Sequence, residues 1–222
     1  MTDQTEDGAL DSGHDTEESR FISAERLIFF SDAVVAIAIT LLALGLPLPA
    51  GLHSGATNDQ VFHGLLGRHD AYLAFLISFV VIANYWRSHH RLYRNVDKLD
   101  SRIITLNFVW LLMIVLIPFA TRLISADGGF AVRFAVYAVI QVLIMLAFLL
   151  MSRHIRTGKL LRLGAPPPES AAADDAALLA LAAMWAISIP IGFVVNEWAF
   201  LVWIFSPVAA KAARRLWLRH QR

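Results

Sequence analysis

The sequence predicts an all-α integral membrane protein with six transmembrane helices and both termini in the cytoplasm. Three observations predict it. The 222-residue chain is 57% hydrophobic and only 17% charged, with a mean hydropathy of +0.58, whereas soluble domains usually carry about 25% charged residues. The apolar residues are clumped into runs near the length a helix needs to cross a bilayer, roughly 20 residues at 1.5 Å each. The basic residues, finally, alternate from one side of those runs to the other.

Residues 1–22 open with "MTDQTEDGALDSGHDTEESR", which is acidic and almost free of large apolar residues. They are expected to form a disordered cytoplasmic tail. The stretch lacks the basic region and small-residue cleavage site of a secretory signal. Residues 23–213 form the membrane unit. Its first run, 27–46, stops at Pro47 and Pro49, which cannot continue a helix. The second, third and fourth runs cover 70–93, 103–124 and 130–151. The fifth covers 176–195, and the sixth, 198–213, is short and tilts toward a basic tail at 214–222. Pro118 and Pro190 sit inside the third and fifth runs, where neighbouring helices re-satisfy the freed carbonyls.

Two connections stand out. The outward-facing link from 48 to 68 is long and rich in Gly and Pro. It brings His53, His63 and His69 near Asp70, but their spacing matches no familiar metal site, and solvated loop residues are expected. Unperturbed imidazoles titrate near pH 6.5, so this loop is also a candidate pH sensor. "GAPPPES" reads as a stiff cytoplasmic linker dividing the first four helices from the last two. No internal repeat is visible, and the chain has no cysteine, which excludes a disulfide scaffold and a thiolate metal site.

Lys and Arg placement sets the orientation. The link between the second and third runs carries Arg87, Arg91, Arg94, Lys98 and Arg102, that between the fourth and fifth Arg153, Arg156, Lys159 and Arg162, and the C-terminal tail five more. With Arg20 and Arg26, 16 of the 19 basic residues fall on one side, leaving Arg68, Arg122 and Arg133 on the other. Positive loops stay cytoplasmic. An even number of helices satisfies that parity.

The residues with chemistry lie at the inner ends of the first three helices. Asp32 opens the first run, and an unpaired carboxylate within a span costs at least about 2.5–3.5 kcal/mol. It is expected to face the bundle interior and find a partner. Arg26, six residues upstream, is off the favourable spacing. Asn84, Trp86, His89 and His90 on the second helix and Asn107 on the third are available at the same depth. The expected product is a polar knot acting as a structural clamp. Further along the first helix, Ile37, Thr40, Leu41 and Leu44 share one face, which ordinarily packs against lipid or other helices. Thr40 has a local explanation too, bonding back to its own helix. Ala36, Ala38 and Ala43 allow close approach of neighbours.

Catalysis is not indicated. Ser31, His90 and Asp32 spell a triad, but adjacent Ser and Asp diverge on a helix. No HExxH, GxSxG, paired-carboxylate or Walker pattern appears, nor a TVGYG filter. No enzyme activity, cofactor or metal is expected. The basic tail attracts anionic lipid and needs no nucleic acid to explain it.

"RLIFFSD", with Arg26, Phe30, Ser31 and Asp32, followed by "AVVAIAITLLAL", resembles the transmembrane protein 175 family of lysosomal potassium channels and their shorter bacterial relatives. "ISFVVIANYWRSHHRLYRNV" resembles the family's second helix, ending in a Trp-x-x-His pattern, and "LNFVWLLMIVLIPFAT" its third. The resemblance covers residues 23 to 125 well and the remainder in hydropathy and length. It implies a bacterial member in the inner membrane, one six-helix unit per chain, assembled as a homotetramer that passes potassium ions. The pore would be lined by the first helix of each subunit, constricted by Ile37, Leu41 and Leu44, with Thr40 as the hydroxyl layer tied to potassium preference. Arg26, Phe30, Ser31 and Asp32 would be structural, with Trp86, His89, His90 and Asn107 across the knot. Two positions depart from the family pattern: Gly45 where a glutamate is often found, and Ala120 where proline is expected. The competing expectation is a proton-coupled secondary transporter using Asp32 and His90, disfavoured by the lack of a repeat or a midplane site.

Overall fold

The computed structural model of the protein describes residues 8–49, 52–94, 96, 99–158, 160–161 and 168–220, with the side chains of 8–24, 168–171 and 220 left aside. Seven helices follow one another: α1 (Gly8–Leu44), α2 (Asn58–Leu66), α3 (His69–Tyr93), α4 (Ser101–Ile124), α5 (Phe130–Thr157), α6 (Pro168–Val195) and α7 (Phe200–His220). Beyond a short 3₁₀ turn at Asn196–Ala199 and a single antiparallel bridge from Val96 to Leu161, the described residues contain no other regular element. By length and composition, five stretches suffice to cross a membrane: Glu25–Leu44, His69–Tyr93, Ser101–Ile124, Phe130–Thr157 and Ala172–Arg219.

The last stretch contains two helices, and the contacts show that they fold back on each other. Arg214 near the end of α7 donates to Asp174 near the start of α6 at 2.8 Å, and Trp203 Nε1 donates to Ser188 Oγ at 2.9 Å. The reversal occurs at Asn196, whose φ of 51° lies in the left-handed region that asparagine tolerates better than most residues. Pro207 lies inside α7 and cannot donate to the carbonyl of Trp203. The Ser206 hydroxyl takes that place at 2.8 Å. A serine beside the proline therefore keeps the helix satisfied without water.

Packing is built around α4. It meets α5 on one side and α1 and α3 on the other, and α5, α6 and α7 continue the row. Ile103, Trp110, Ile114 and Ile117 run down the buried side of α4, and Ile144, Met151 and Ile155 of α5 meet the same core. A second apolar centre is aromatic. Trp203 stacks on Phe134 and Trp185, with ring centroids 4.3 and 4.2 Å apart, and Tyr137 lies 5.3 Å from it. This centre fastens α7 and α6 to α5.

The elements depart from the sequence expectation at their ends. Residues 1–7 of the expected acidic tail lie outside the described residues, while from Gly8 the backbone is helical and continuous with the first apolar run. α5 and α7 extend to Thr157 and His220, past the expected ends at 151 and 213. Most of "GAPPPES" lies outside the described residues, and Pro168 begins α6. The 48–68 link is not loop throughout. Thr57 and Gln60 form a reciprocal capping box that starts α2; the signal, "TNDQ", was present in the sequence.

Candidate functional site

α1 has two faces with different fates. Ser31, Val35, Ala38 and Leu42, spaced as one side of a helix, are buried against the chain's own bundle, which α1 meets through α3 and α4. The other side is left largely uncovered by the described residues. Ile37 is 58% exposed, Leu41 39% and Leu44 82%, and Thr40 is exposed between them. The Thr40 hydroxyl donates to the Ile37 carbonyl at 2.8 Å. Its proton is spent within the helix, so the oxygen keeps lone pairs with which to accept from water or coordinate a cation.

Near the start of the apolar run of the same helix, polar side chains from three helices meet. Trp86 Nε1 of α3 donates to Asp32 Oδ1 of α1 at 2.9 Å. Asn107 of α4, fully buried, donates through Nδ2 to Ser31 Oγ at 2.9 Å, and Ser31 Oγ in turn donates to the Leu27 carbonyl at 2.8 Å. His89 Nε2 lies 2.8 Å from Asn107 Oδ1. Because an amide oxygen only accepts, this nitrogen carries the proton. Tyr93 adds a longer bond to the same oxygen at 3.3 Å. The His89 ring, 1% exposed, is stacked on Trp110 at 4.5 Å. Phe30 meets Phe108 at 5.7 Å. Phe30, Ser31, Asp32, Trp86, His89 and Asn107, part of the pattern on which the family resemblance rests, therefore tie α1 to α3 and α4.

Not every expected member joins this knot. Arg26 and Asn84 are exposed. His90 is exposed as well and touches Trp86 only ring to ring, at 5.8 Å. Among the described residues no hydrogen bond or ion pair joins Asp32 to His90, the pair that a proton relay would need. The three outer histidines are also apart, each with its own neighbour: His53 accepts from Gly55 N at 3.2 Å, His63 lies 3.5 Å from Asp59, and His69 lies 2.7 Å from Asp70. Among the described residues no group of three or more candidate metal ligands forms.

Further polar contacts were not foreshadowed by the sequence. Thr121 Oγ1 of α4 donates to Ser78 Oγ of α3 at 2.8 Å, Ser78 lies 3.1 Å from the Tyr137 hydroxyl of α5, and Tyr85 donates to Gln141 Oε1 at 2.6 Å. These single hydroxyls in apolar runs carry no sequence signal of partnership. Just before α4, Asp100 accepts from Ile103 N at 2.8 Å, capping that helix, and lies 2.6 Å from His154 Nε2 of α5. The Ile103 amide, then the His154 bond, holds its carboxyl below the usual carboxylate range. Asp175 of α6 is paired with both Arg153 and Arg156 of α5.

At the opposite end of α1, Leu41, Leu44 and Gly45 face Pro118, Phe119 and Arg122 of α4 across an open groove of about 620 Å³. Gly45 is what lets the Arg122 side chain lie there, since a Cβ at this position would stand 2.9 Å from Arg122 Cδ. Ala120, the other departure from the family pattern, is fully buried.

With this geometry in hand, the similarities to known proteins gain meaning. Residues 26–118, which carry both the knot and the exposed stripe of α1, match the sequence model of a family described as "Endosomal/lysosomal potassium channel TMEM175". A protein of Streptomyces collinus named a potassium channel is 34% identical over 140 residues, 61% of this chain and 66% of that one. One of Chamaesiphon minutus, also named a potassium channel, is 34% identical over 135 residues, with 60% and 66% covered. The matched segment thus spans just under two thirds of each of these relatives. A mouse protein named an endosomal/lysosomal proton channel, TMEM175, is 30% identical over 54% of this chain and 24% of its own length. In three dimensions, the chain resembles the crystal structure of a lysosomal potassium-selective channel TMEM175 homolog from Chamaesiphon minutus. The TM-score is 0.69 at 26% identity, covering 88% of this chain and 98% of that one.

Proposed function

We propose that this chain is a member of the TMEM175 family, to which it is similar in sequence and fold, and that it is a potassium-conducting channel of the bacterial cell membrane. Its bacterial relatives are named as potassium channels, not enzymes. In this reading α1, α3, α4, α5, α6 and α7 make six crossings with both termini inside. Four copies assemble so that their α1 helices surround a central path through the lipid.

The observation that carries the reading is the bare stripe of α1. Ile37, Thr40, Leu41 and Leu44 are exposed on the helix whose opposite face is sewn into the bundle by Ser31 and Asp32. A helix so held, with an apolar face relieved at one point by a hydroxyl, suits a pore lining. Ile37, Leu41 and Leu44 then form the constriction, which passes ions only when widened or wetted. A ring of Thr40 oxygens replaces part of a potassium ion's water. Single hydroxyl dipoles hold an ion less firmly than a cage of backbone carbonyls, so potassium is preferred over sodium only modestly. The knot, with Arg26 and His90 at its border, is structural and takes no part in permeation.

The deciding experiment is recording from purified protein in planar bilayers under a potassium/sodium gradient, beside a Thr40→Ala variant. Unitary currents reversing toward the potassium potential, with a smaller shift in Thr40→Ala, are expected. Currents that follow an imposed pH gradient instead would assign this chain the proton cargo of its mouse relative's name. Silent membranes that still move tracer ions with protons would replace the channel with a carrier.

A further inference from the structure

The inner face of the bundle carries a second concavity, away from α1. α5 forms its floor, the end of α3 one wall and the start of α6 the other, enclosing about 450 Å³. Its polar lining is dominated by Arg91, Arg94 and Arg156, with Ser88 and Ser152 between them. Leu92, Phe148, Ile155 and Leu178 complete it toward the apolar body of the bundle.

Among the described residues the charges are only partly balanced. There Arg91 bonds to the Arg87 carbonyl and Ser88 Oγ, both at 3.3 Å. Among the described residues neither Arg91 nor Arg94 meets a carboxylate. Arg156 is held by Asp175 and Ser152 and so is fixed in place. The one acid in the lining, Asp174, is paired with Arg214 at 2.8 Å. A pocket with this makeup has a cationic end at the depth of lipid headgroups and an apolar end toward the acyl region. The guanidinium groups of Arg91 and Arg94, which meet no carboxylate among the described residues, match the oxygens of a phosphodiester, and basic pockets between helices on the cytoplasmic side are where anionic headgroups dock.

We propose that the cleft between α3 and α6, over α5, is a binding site for the phosphate-bearing headgroup of an anionic phospholipid. Arg91 and Arg94 clamp the phosphate, Arg156 forms a fixed third side, and Leu92, Phe148 and Leu178 receive the first carbons of an acyl chain. The site rests on the arginine-rich ends lying at the cytoplasmic surface, and it is independent of which ion the chain conducts.

The test is thermal unfolding of the full-length chain in detergent, titrated with phosphatidylglycerol, phosphatidylcholine or inorganic phosphate. Phosphatidylglycerol is expected to raise the midpoint, with the other two giving little shift. Arg91→Gln with Arg94→Gln is expected to abolish the rise, whereas Arg219→Gln, a basic residue outside the cleft, retains it. An equal rise in the double variant, or with phosphatidylcholine, overturns the proposal. A rise reproduced by inorganic phosphate alone makes this a free-anion site and overturns the lipid assignment. Should the double variant not fold, Arg91→Lys against Arg91→Gln decides in its place. The lysine is then expected to keep the response and the glutamine to weaken it, and equal responses overturn the proposal. Because the readout is unfolding and not current, its outcome is separable from the channel assignment.

Discussion

Asn107 carries the polar knot, because among the described residues it is the one side chain that bonds to both α1 and α3 from α4. Replacing it by alanine orphans the buried Nε2 proton of His89. Stranding a buried donor costs about 1–3 kcal/mol, so Asn107→Ala is expected to lower the thermal unfolding midpoint clearly. Asp32→Asn is expected to be milder, since an amide oxygen still accepts from Trp86. The same Asp32→Asn protein, recorded in bilayers, should conduct like the parent, which a proton relay through Asp32 would forbid. Asp100 gives a prediction in pH. Its carboxyl is held below the ordinary range by the Ile103 amide and His154, so its stabilising contribution is complete above the unfolded pKa and is lost as pH falls through the lowered one. Asparagine also caps helices well. The midpoint gap between the parent and Asp100→Asn is therefore expected to be steady near neutral pH and to close below about pH 4.

The hairpin of α6 and α7 is held differently, by aromatic surfaces in close registry. Gly192 makes that registry possible, because a Cβ there would stand 2.8 Å from Phe134 Cδ1. Gly192→Ala is expected to cost about 1–3 kcal/mol through overpacking, read as a lower unfolding midpoint. Gly129→Ala meets open space and should leave the midpoint nearly unchanged. This is also the level at which the sequence was most and least legible. Apolar runs bounded by Pro47 or by arginine clusters located the long helices, because bilayer thickness and backbone desolvation leave few alternatives. That Asp32 finds a partner across the bundle was readable, with Trp86 one of five candidates, because a carboxylate in a span must be answered. Ser78 and Thr121 were not readable as partners, because a serine or threonine hydroxyl can satisfy itself on its own helix, and Tyr137 was not, because only the register of three helices reveals its bond. The α6–α7 registry was hidden for a similar reason, since a tryptophan in an apolar run advertises burial but no partner.

Across the whole molecule, acidic and basic side chains between α4, α5, α6 and α7 fasten one end of the bundle, while the other end has only Arg68, Arg122 and Arg133 as cations. Arg133 is itself spent on the carbonyls of Ile124 and Gly128, at 2.6 and 2.8 Å. That asymmetry is the physical basis of the proposed orientation. The absence of native cysteine makes it directly measurable. Ser54→Cys, in the link before α2, is expected to react with a membrane-impermeant maleimide added to intact cells. Thr157→Cys, at the end of α5, is expected to react only after the cells are opened. The reverse pattern would invert the topology.

The division of α1 into two faces also bears on descent. Ser31, Val35, Ala38 and Leu42 answer to the fold, whereas Ile37, Thr40 and Leu44 are exposed and are not packed into the core of the described residues. The two sets are therefore exposed to separate selection. On the pore lining proposed above, a lineage can rewrite the bare stripe, and with it the cargo, while inheriting the scaffold intact; relatives named for two different ions are what such a partition permits.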